Sequence, residues 1–106
     1  MSSLRDFICL ILAGTAFTPA FAIDDYNRTV ASVGAQQTPA RAYFRVAENW
    51  SQPCANNVMY IDVSTPAGKS LFANVLEAKA TGNLISWVNY TLDAGNICNA
   101  TLVELK

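Results

Sequence analysis

Apolar and polar side chains alternate along two stretches in the middle of the chain, residues 41–48 and 58–64. The apolar positions that share one face of each stretch are Ala42, Phe44 and Val46, then Met59, Ile61 and Val63. A period of two places alternate side chains on opposite faces of a β-strand, so each stretch is predicted to be a half-buried strand. β-Branched and apolar residues predict three further strands, at 29–36, 84–92 and 98–105.

A single helix is predicted between the third and fourth of these strands. Thr65 is a suitable N-cap, and Pro66 fits the first helical position, where its missing N–H costs nothing. Gly82 tolerates the left-handed conformation that commonly ends a helix. The apolar residues predicted to form one buried stripe are Leu71, Phe72, Val75, Leu76 and Ala80. The residues off this stripe, which we expect to face solvent, are Lys69, Asn74 and Glu77.

The order of elements predicts a mainly β fold with one helix, β-β-β-α-β-β. This order is that of a small OB-fold-like barrel, in which a helix lies between the third and fourth strands. An α+β sheet with one helix packed on a face has the same order of elements. The sequence leaves both arrangements open.

Residues 1–22 have the pattern of a secretory signal peptide, with a basic residue near the start, an apolar run over 7–17 and a cleavage site after Ala22. The apolar run is shorter than the roughly 20 residues of a membrane-spanning helix. We therefore expect an exported protein, periplasmic or secreted, without a membrane span after signal removal. The mature chain, 23–106, is predicted to be one domain that opens on a polar lead-in, 23–27.

Two cysteines, Cys54 and Cys98, remain after the signal peptide. In an oxidising compartment, two cysteines in a small domain predict one disulfide, because such a domain has a thin core. Two buried free thiols are the alternative. No metal or other cofactor is expected, because the chain contains no histidine and the cysteines lack a close second pair.

Charge and catalytic residue types point to a binding protein. The chain has 7 Lys and Arg, 8 Asp and Glu, and no basic run, so no nucleic-acid partner is expected. The usual general base, histidine, is absent, and no nucleophile elbow or phosphate-binding glycine loop is present. Asp24 and Asp25 are expected to be solvated, and Glu48 and Asp62 have no visible partner to shift their pKa values. We therefore do not expect an enzyme.

Aromatic and charged residues on the predicted strands are the candidates for ligand binding. The outward-facing residues of the second and third strands are predicted to be Tyr43, Arg45, Tyr60 and Asp62. Aromatic rings can stack on a sugar while charged groups bond its hydroxyls, although an ordinary solvated sheet face has similar residues. Trp50, on a polar loop, is either a ligand contact or a plug over the barrel end beside Cys54. Trp87 is expected in the core.

Two segments of the chain resemble a known family. Residues 70–88 resemble the helix-to-strand segment of the B subunits of subtilase cytotoxin and typhoid toxin, where an amphipathic helix ends in Thr-Gly and leads into a strand. Residues 41–46 resemble the second strand of those subunits, which carries a similar Tyr-Phe pair. The cysteine positions differ from the usual pairing of that family, and no glycan-contacting residue can be matched.

The resemblance implies an OB-fold and a bacterial toxin B subunit that binds sialylated host glycans as a ring of five. The resulting functional expectation is a small exported binding protein that recognises host glycans as a homo-oligomer. The alternative is a monomeric periplasmic or secreted protein-binding module of the inhibitor or immunity type, without glycan binding.

Overall fold

Six β-strands and one α-helix make up residues 22–106, the part of the chain that the computed structural model describes. In chain order these elements are β1 (Ala22–Arg28), β2 (Val30–Gln36), β3 (Arg41–Val46), β4 (Val58–Ile61), α1 (Pro66–Thr81), β5 (Ile85–Asp93) and β6 (Ile97–Leu105). Two single 3-10 turns, Ala55–Asn57 and Ala94–Asn96, lead into β4 and β6. The predicted signal peptide lies outside the described residues, apart from Ala22 at the start of β1.

The strands form one mixed sheet in the order β1-β5-β6-β4-β3-β2. Neighbouring strands are antiparallel except for β4 and β6, which are parallel. The predicted fold class, mainly β with one helix, is confirmed. From β2 onwards the order strand-strand-strand-helix-strand-strand is also as predicted, and β1 is an additional strand.

The predicted OB-fold-like barrel is not formed, because the two edge strands of the sheet, β1 and β2, do not pair with each other. The open sheet corresponds to the alternative prediction, a sheet with one helix packed on a face. Strands β1 and β2 follow one another along the chain, with Thr29 alone between them. Asn27, at a φ of 56°, bends the chain just before this point. The Thr29 N–H donates to the side chain of Glu48 at 2.9 Å. This backbone donor therefore bonds a side chain and does not bond the backbone of another strand.

Helix α1 packs mainly against β6 and β2, which are separated in the sheet by β4 and β3. The helix contacts these two distant strands more than the strands between them, which indicates that the sheet curves around it. The described protein is therefore an open, strongly curved sheet with one helix packed against it.

The predicted limits of α1 are confirmed, but its buried face is rotated from the predicted one. The Thr65 side chain accepts a hydrogen bond from the Gly68 N–H at 3.0 Å, and the helix ends at Gly82, whose φ is 76°. The fully buried helix residues are Gly68, Val75 and Ala78. Leu76 and Ala80, predicted to be buried, are exposed. The prediction for Asn74 was also wrong, because its side chain is half-buried and donates to the Val103 carbonyl at 3.0 Å.

Strand β1 occupies the segment predicted to be a polar lead-in, so that prediction was wrong. Its residues pair with β5, for example Asp24 with Asn89 and Tyr26 with Trp87. Strand formation depends strongly on cross-strand partners, which a polar segment does not reveal on its own. The side chains of β1 also divide between the two faces of the sheet, because Asp25 is buried while Asp24 is exposed.

The core lies between the curved sheet and the helix. Its largest fully buried side chains are Tyr90, Phe44, Met59, Ile61, Ile85, Val75 and Val88. The predicted disulfide is present between Cys54, just before β4, and Cys98 in β6, with their Cα atoms 5.5 Å apart. It therefore ties the long loop after β3 to a central strand of the sheet.

Candidate functional site

An exposed aromatic pair lies on the outer surface of β1 and β5. Tyr26 and Trp87 are cross-strand partners, and their rings stack with centroids 6.4 Å apart and planes inclined by 21°. Tyr26 is 54% exposed, and Trp87 is half-buried, which corrects the expectation that Trp87 is a core residue. The pairing with β1 explains this difference, because it gives the Trp87 indole a partner on the outer surface.

The Asp24 carboxylate lies beside this pair. Its Oδ1 atom accepts hydrogen bonds from Asn89 Nδ2 at 2.7 Å and from Trp87 Nε1 at 2.8 Å. The hydrogen bonds from Asn89 and Trp87 hold the pKa of Asp24 below its ordinary value of 3.8, so this carboxyl stays ionised at neutral and mildly acidic pH. Within the described residues its Oδ2 atom is not engaged. We call Asp24, Tyr26, Trp87 and Asn89 the β1/β5 face.

A further hydrogen bond orients this face. Thr101 Oγ1, on β6, donates to Asn89 Oδ1 at 2.6 Å, which directs the amide Nδ2 of Asn89 towards Asp24. The bonds from Thr101 to Asn89 and from Asn89 to Asp24 hold the polar groups in place before any ligand arrives. The arrangement offers an apolar ring surface next to a fixed hydrogen-bond acceptor, which is how many small-molecule sites achieve orientation and specificity.

Sequence reasoning missed the β1/β5 face. Its residues come from two segments more than 60 positions apart, and the sequence predicts one of these segments, 23–27, as a polar lead-in. A usable signal was present, because Asp24 and Tyr26 have the same two-residue spacing as Trp87 and Asn89. That spacing places each pair on one face of a strand.

The four predicted outward-facing residues of β3 and β4 do lie on one surface. Tyr43 and Tyr60 are cross-strand partners whose rings meet edge to face, with centroids 6.1 Å apart. Arg45 is exposed and donates from Nε to the Asn56 carbonyl at 3.3 Å. Asp62 is exposed at the end of β4.

The Asp62 carboxylate accepts hydrogen bonds from Ser64 in its own turn and not from residues of the neighbouring strand. Its Oδ1 atom accepts hydrogen bonds from the Ser64 hydroxyl at 2.6 Å and the Ser64 N–H at 2.9 Å. These bonds hold the pKa of Asp62 below its ordinary value. The residue that sequence reasoning missed on this surface is Arg41, whose guanidinium carbon lies 3.6 Å from the centroid of the Tyr60 ring. We call Arg41, Tyr43, Arg45 and Tyr60 the β3/β4 face.

Trp50 is placed in the core, with only 5% of its surface exposed. Its ring packs edge to face against Phe44 and Tyr90, at centroid distances of 5.8 and 5.6 Å. Its indole Nε1 donates to the Asn57 carbonyl at 3.2 Å. This placement favours a packed Trp50 over an exposed ligand contact, but the sheet is open, so Trp50 does not close a barrel end. A shallow cavity of about 480 Å³ opens beside Trp50, lined by residues 49–54 and Asn57.

A buried polar network supports the β1/β5 face from below. The Tyr90 hydroxyl donates to Asp25 Oδ2 at 2.8 Å, and the Ser51 N–H donates to the same oxygen at 3.0 Å. An Arg28 nitrogen lies 3.6 Å from the other Asp25 oxygen. The prediction that Asp25 is solvated was therefore wrong, because it is 4% exposed and fully partnered. Through these bonds β1 is fixed to β5 and to the loop after β3.

Titration of Tyr90 is expected to weaken the fold at high pH. Burial, reinforced by the neighbouring Asp25, raises the pKa of Tyr90 from 10.0 to about 12. The unfolded chain loses this proton near pH 10 while the folded protein keeps it, so this contribution to stability is complete below about pH 10 and is lost towards about pH 12. Tyr90→Phe should therefore be less stable than the wild type near neutral pH but lose stability less steeply above about pH 10.

Urea unfolding at a series of pH values measures this difference in slope. Tyr26→Phe is the matched control, since it removes the hydroxyl of an exposed tyrosine. Parallel stability curves for the wild type and Tyr90→Phe would show that Tyr90 does not titrate as described.

Within residues 22–106, no group of three or more His, Cys, Asp or Glu side chains could hold a metal ion. The same residues contain no helix that is both long and apolar enough to cross a membrane. Neither a protein-family model, nor a curated protein, nor a solved structure matches this chain.

Proposed function

We propose that this protein is a small exported binding protein that recognises a glycan through the β1/β5 face. The observation that supports this function best is the exposed, stacked Tyr26–Trp87 pair beside the ionised Asp24 carboxylate. A sugar ring has an apolar face of C–H groups, which packs on an aromatic ring, and hydroxyls that donate to a carboxylate. The β1/β5 face offers both kinds of contact at adjacent positions.

Preorganisation of the polar groups favours a binding role over a purely structural one. Asp24 Oδ1 is fixed by two donors, and Asn89 is fixed in turn by Thr101. A ligand that bonds the remaining Asp24 oxygen therefore meets a side chain that loses little further conformational freedom on binding.

Export is the second part of the proposal. The N-terminal sequence pattern predicts it, and the Cys54–Cys98 disulfide is compatible with an oxidising compartment, periplasmic or extracellular. The resemblance to toxin B subunits further suggests a host glycan as ligand and a homo-oligomer as the active form. Several weak sites on one oligomer bind a cell surface far more tightly than one site does.

A monomeric protein-binding module is the second candidate. The observation in its favour is that Tyr26 and Leu76 are exposed large hydrophobic side chains of the described chain, at 54% and 44%. Exposed aromatic and aliphatic side chains of this kind are typical anchors of protein interfaces. This candidate predicts a monomer that binds no glycan.

A glycan array followed by calorimetry on the strongest ligand tests the proposed function. Tyr26→Ala should weaken binding about tenfold, because the stacking surface is lost while the exposed position leaves the fold intact. Asp24→Asn should also weaken binding. Tyr43→Ala is the matched control, since it removes a tyrosine from the β3/β4 face and should leave glycan affinity unchanged.

The state of assembly is measured by light scattering on the same samples. An oligomer that binds glycans through Tyr26 supports the proposal. A monomer that binds no glycan on the array would overturn the proposed function and favour the protein-binding module. Equal loss of affinity in Tyr26→Ala and Tyr43→Ala would show that the β1/β5 face is not the site.

A further inference from the structure

We infer that the β3/β4 face is a second binding site, specific for a carboxylate or sulfate group, in which Arg41 contacts the ligand. This site goes beyond the proposed glycan site, because β6 separates β4 from β5 in the sheet and the two faces share no residue.

The guanidinium of Arg41 is held in place by stacking. Its central carbon lies 3.6 Å from the centroid of the Tyr60 ring, which is close contact between a planar cation and an aromatic face. The Tyr43 ring meets Tyr60 edge to face and supports it from the side. An arginine restrained in this way loses less entropy on binding a ligand than a mobile one does.

Within the described residues, Arg41 lacks the partners that would neutralise a structural arginine. Its Nε atom is buried without a hydrogen-bond partner. Within residues 22–106 the one ion pair is that of Arg28 with Asp25, so Arg41 has no carboxylate within 4.0 Å. The positively charged guanidinium is therefore partly shielded from water, although no carboxylate of the described residues neutralises it. A partly buried polar group without a partner requires an explanation.

Asp62 is the acid that the strand register brings nearest to Arg41. It follows Ile61, the cross-strand partner of Ala42, and therefore lies at the end of β4 next to Arg41. Its Oδ1 atom is instead held by the hydroxyl and N–H of Ser64. Within the described residues no Asp62 oxygen lies within 4.0 Å of the Arg41 guanidinium, which leaves the guanidinium available to an external anion.

The rest of the β3/β4 face fits an anionic ligand that carries an apolar portion. Arg45, four residues along β3, is exposed on the same side and adds a second positive charge. Gly34 allows Tyr43 to lie close against β2, since a Cβ atom at Gly34 would be 2.5 Å from that ring. The two Nη groups of Arg41 match the paired oxygens of a carboxylate or sulfate, and Tyr43 and Tyr60 form an apolar wall beside them.

The experiment is a calorimetric titration with three oligosaccharides of similar length: a neutral dextran oligomer, its sulfated form and an oligogalacturonate, which carries carboxylates. We expect at least one charged oligomer to bind more tightly than the neutral one, and the stronger of the two identifies the anion. Arg41→Gln should weaken that binding at least about tenfold, the effect of losing a charge-assisted pair of hydrogen bonds. Arg45→Gln, the charge-matched control, should weaken it by no more than about threefold, the range of an exposed charge.

Arg41→Lys separates specific recognition from general attraction between charges. It keeps the charge but loses the planar fork, so it should lose nearly as much affinity as Arg41→Gln. The Arg41 Nε–H resonance should also shift when the charged oligomer binds to the wild type. The inference is overturned if neither charged oligomer binds, if Arg41→Lys binds like the wild type, or if Arg45→Gln loses as much affinity as Arg41→Gln.

The same variants distinguish this site from the proposed glycan site. Tyr26→Ala should leave binding of the charged oligomer unchanged, and Arg41→Gln should leave binding of the array ligand unchanged. Loss of charged-oligomer binding in Tyr26→Ala would overturn the assignment to the β3/β4 face. Melting temperatures of all variants confirm that each loss of affinity arises in a folded protein.

Discussion

Replacing either disulfide cysteine is expected to lower the free energy of unfolding by about 4 kcal/mol in the chain-entropy model. Cys54 and Cys98 are 44 residues apart, so the bridge closes a loop that covers about half of the described chain. Without the bridge, the unfolded chain gains the conformational freedom of that loop. For a domain of this size the melting temperature should fall by about 15–30 °C, measured by circular dichroism or calorimetry.

Variants at both positions separate the bridge from local packing. Cys54→Ala and Cys98→Ala should be destabilised alike, since each removes the same bond, and the double variant should be little worse than either. Cys98→Ser should be somewhat less stable than Cys98→Ala, because Cys98 is fully buried and the serine hydroxyl would lack a partner. Reductant should lower the melting temperature of the wild type and leave the single variants unchanged. Equal melting of the wild type with and without reductant would contradict a stabilising bridge.

Gly68→Ala is expected to destabilise the protein by about 3 kcal/mol, although alanine is the better helix former. An added Cβ atom at Gly68 would lie 1.7 Å from the Asp62 carbonyl oxygen and 2.8 Å from its carbon. Both atoms belong to the backbone, so neither can swing aside as a side-chain end would. Relief of the overlap requires that the first turn of α1 move away from the end of β4. Urea unfolding of the wild type and the variant measures the loss.

The sign of the Gly68→Ala effect decides between two explanations. Helix propensity alone predicts a gain of about 1 kcal/mol, whereas the overlap predicts a loss. Gly82→Ala is the matched control, because its Cβ atom would meet no neighbour within 4 Å and only the φ of 76° opposes it. That backbone strain should cost about 1–2 kcal/mol. A Gly68→Ala protein as stable as the wild type would show that the helix start tolerates a larger residue.

Local signals in the sequence determined the helix and most of the strands. Thr65, Pro66 and Gly82 act within one turn of the helix ends, and the structure has them in the predicted roles. The alternation of Ala42 and Phe44 with polar residues likewise depends only on neighbouring positions, and both side chains are buried. The disulfide was predictable for a different reason, since only two cysteines follow the predicted signal peptide.

The rotation of α1 about its axis was not determined locally. Leu76 and Ala78 are both apolar, so the local pattern allows either of them to lie on the buried face of the helix. The sequence predicted that Leu76 is buried. The structure buries Ala78 and exposes Leu76, because the helix packs against β6 and the curved edge strand β2. The small side chain allows close approach there, and this depends on the position of strands far along the chain.

The two tryptophans show most clearly what only the tertiary structure decided. Trp50 lies on a polar loop, yet it is buried against Phe44 and Tyr90, whereas Trp87 lies in a strand and forms part of an outer face. An indole is stable in either setting, provided that its ring packs and its N–H finds an acceptor. Which setting it occupies depends on which distant segment supplies that acceptor, the Asn57 carbonyl for Trp50 and the Asp24 carboxylate for Trp87. Residue type and local pattern therefore determined the helix and five of the six described strands, and strand pairing across the fold determined which side chains lie together on the β1/β5 face.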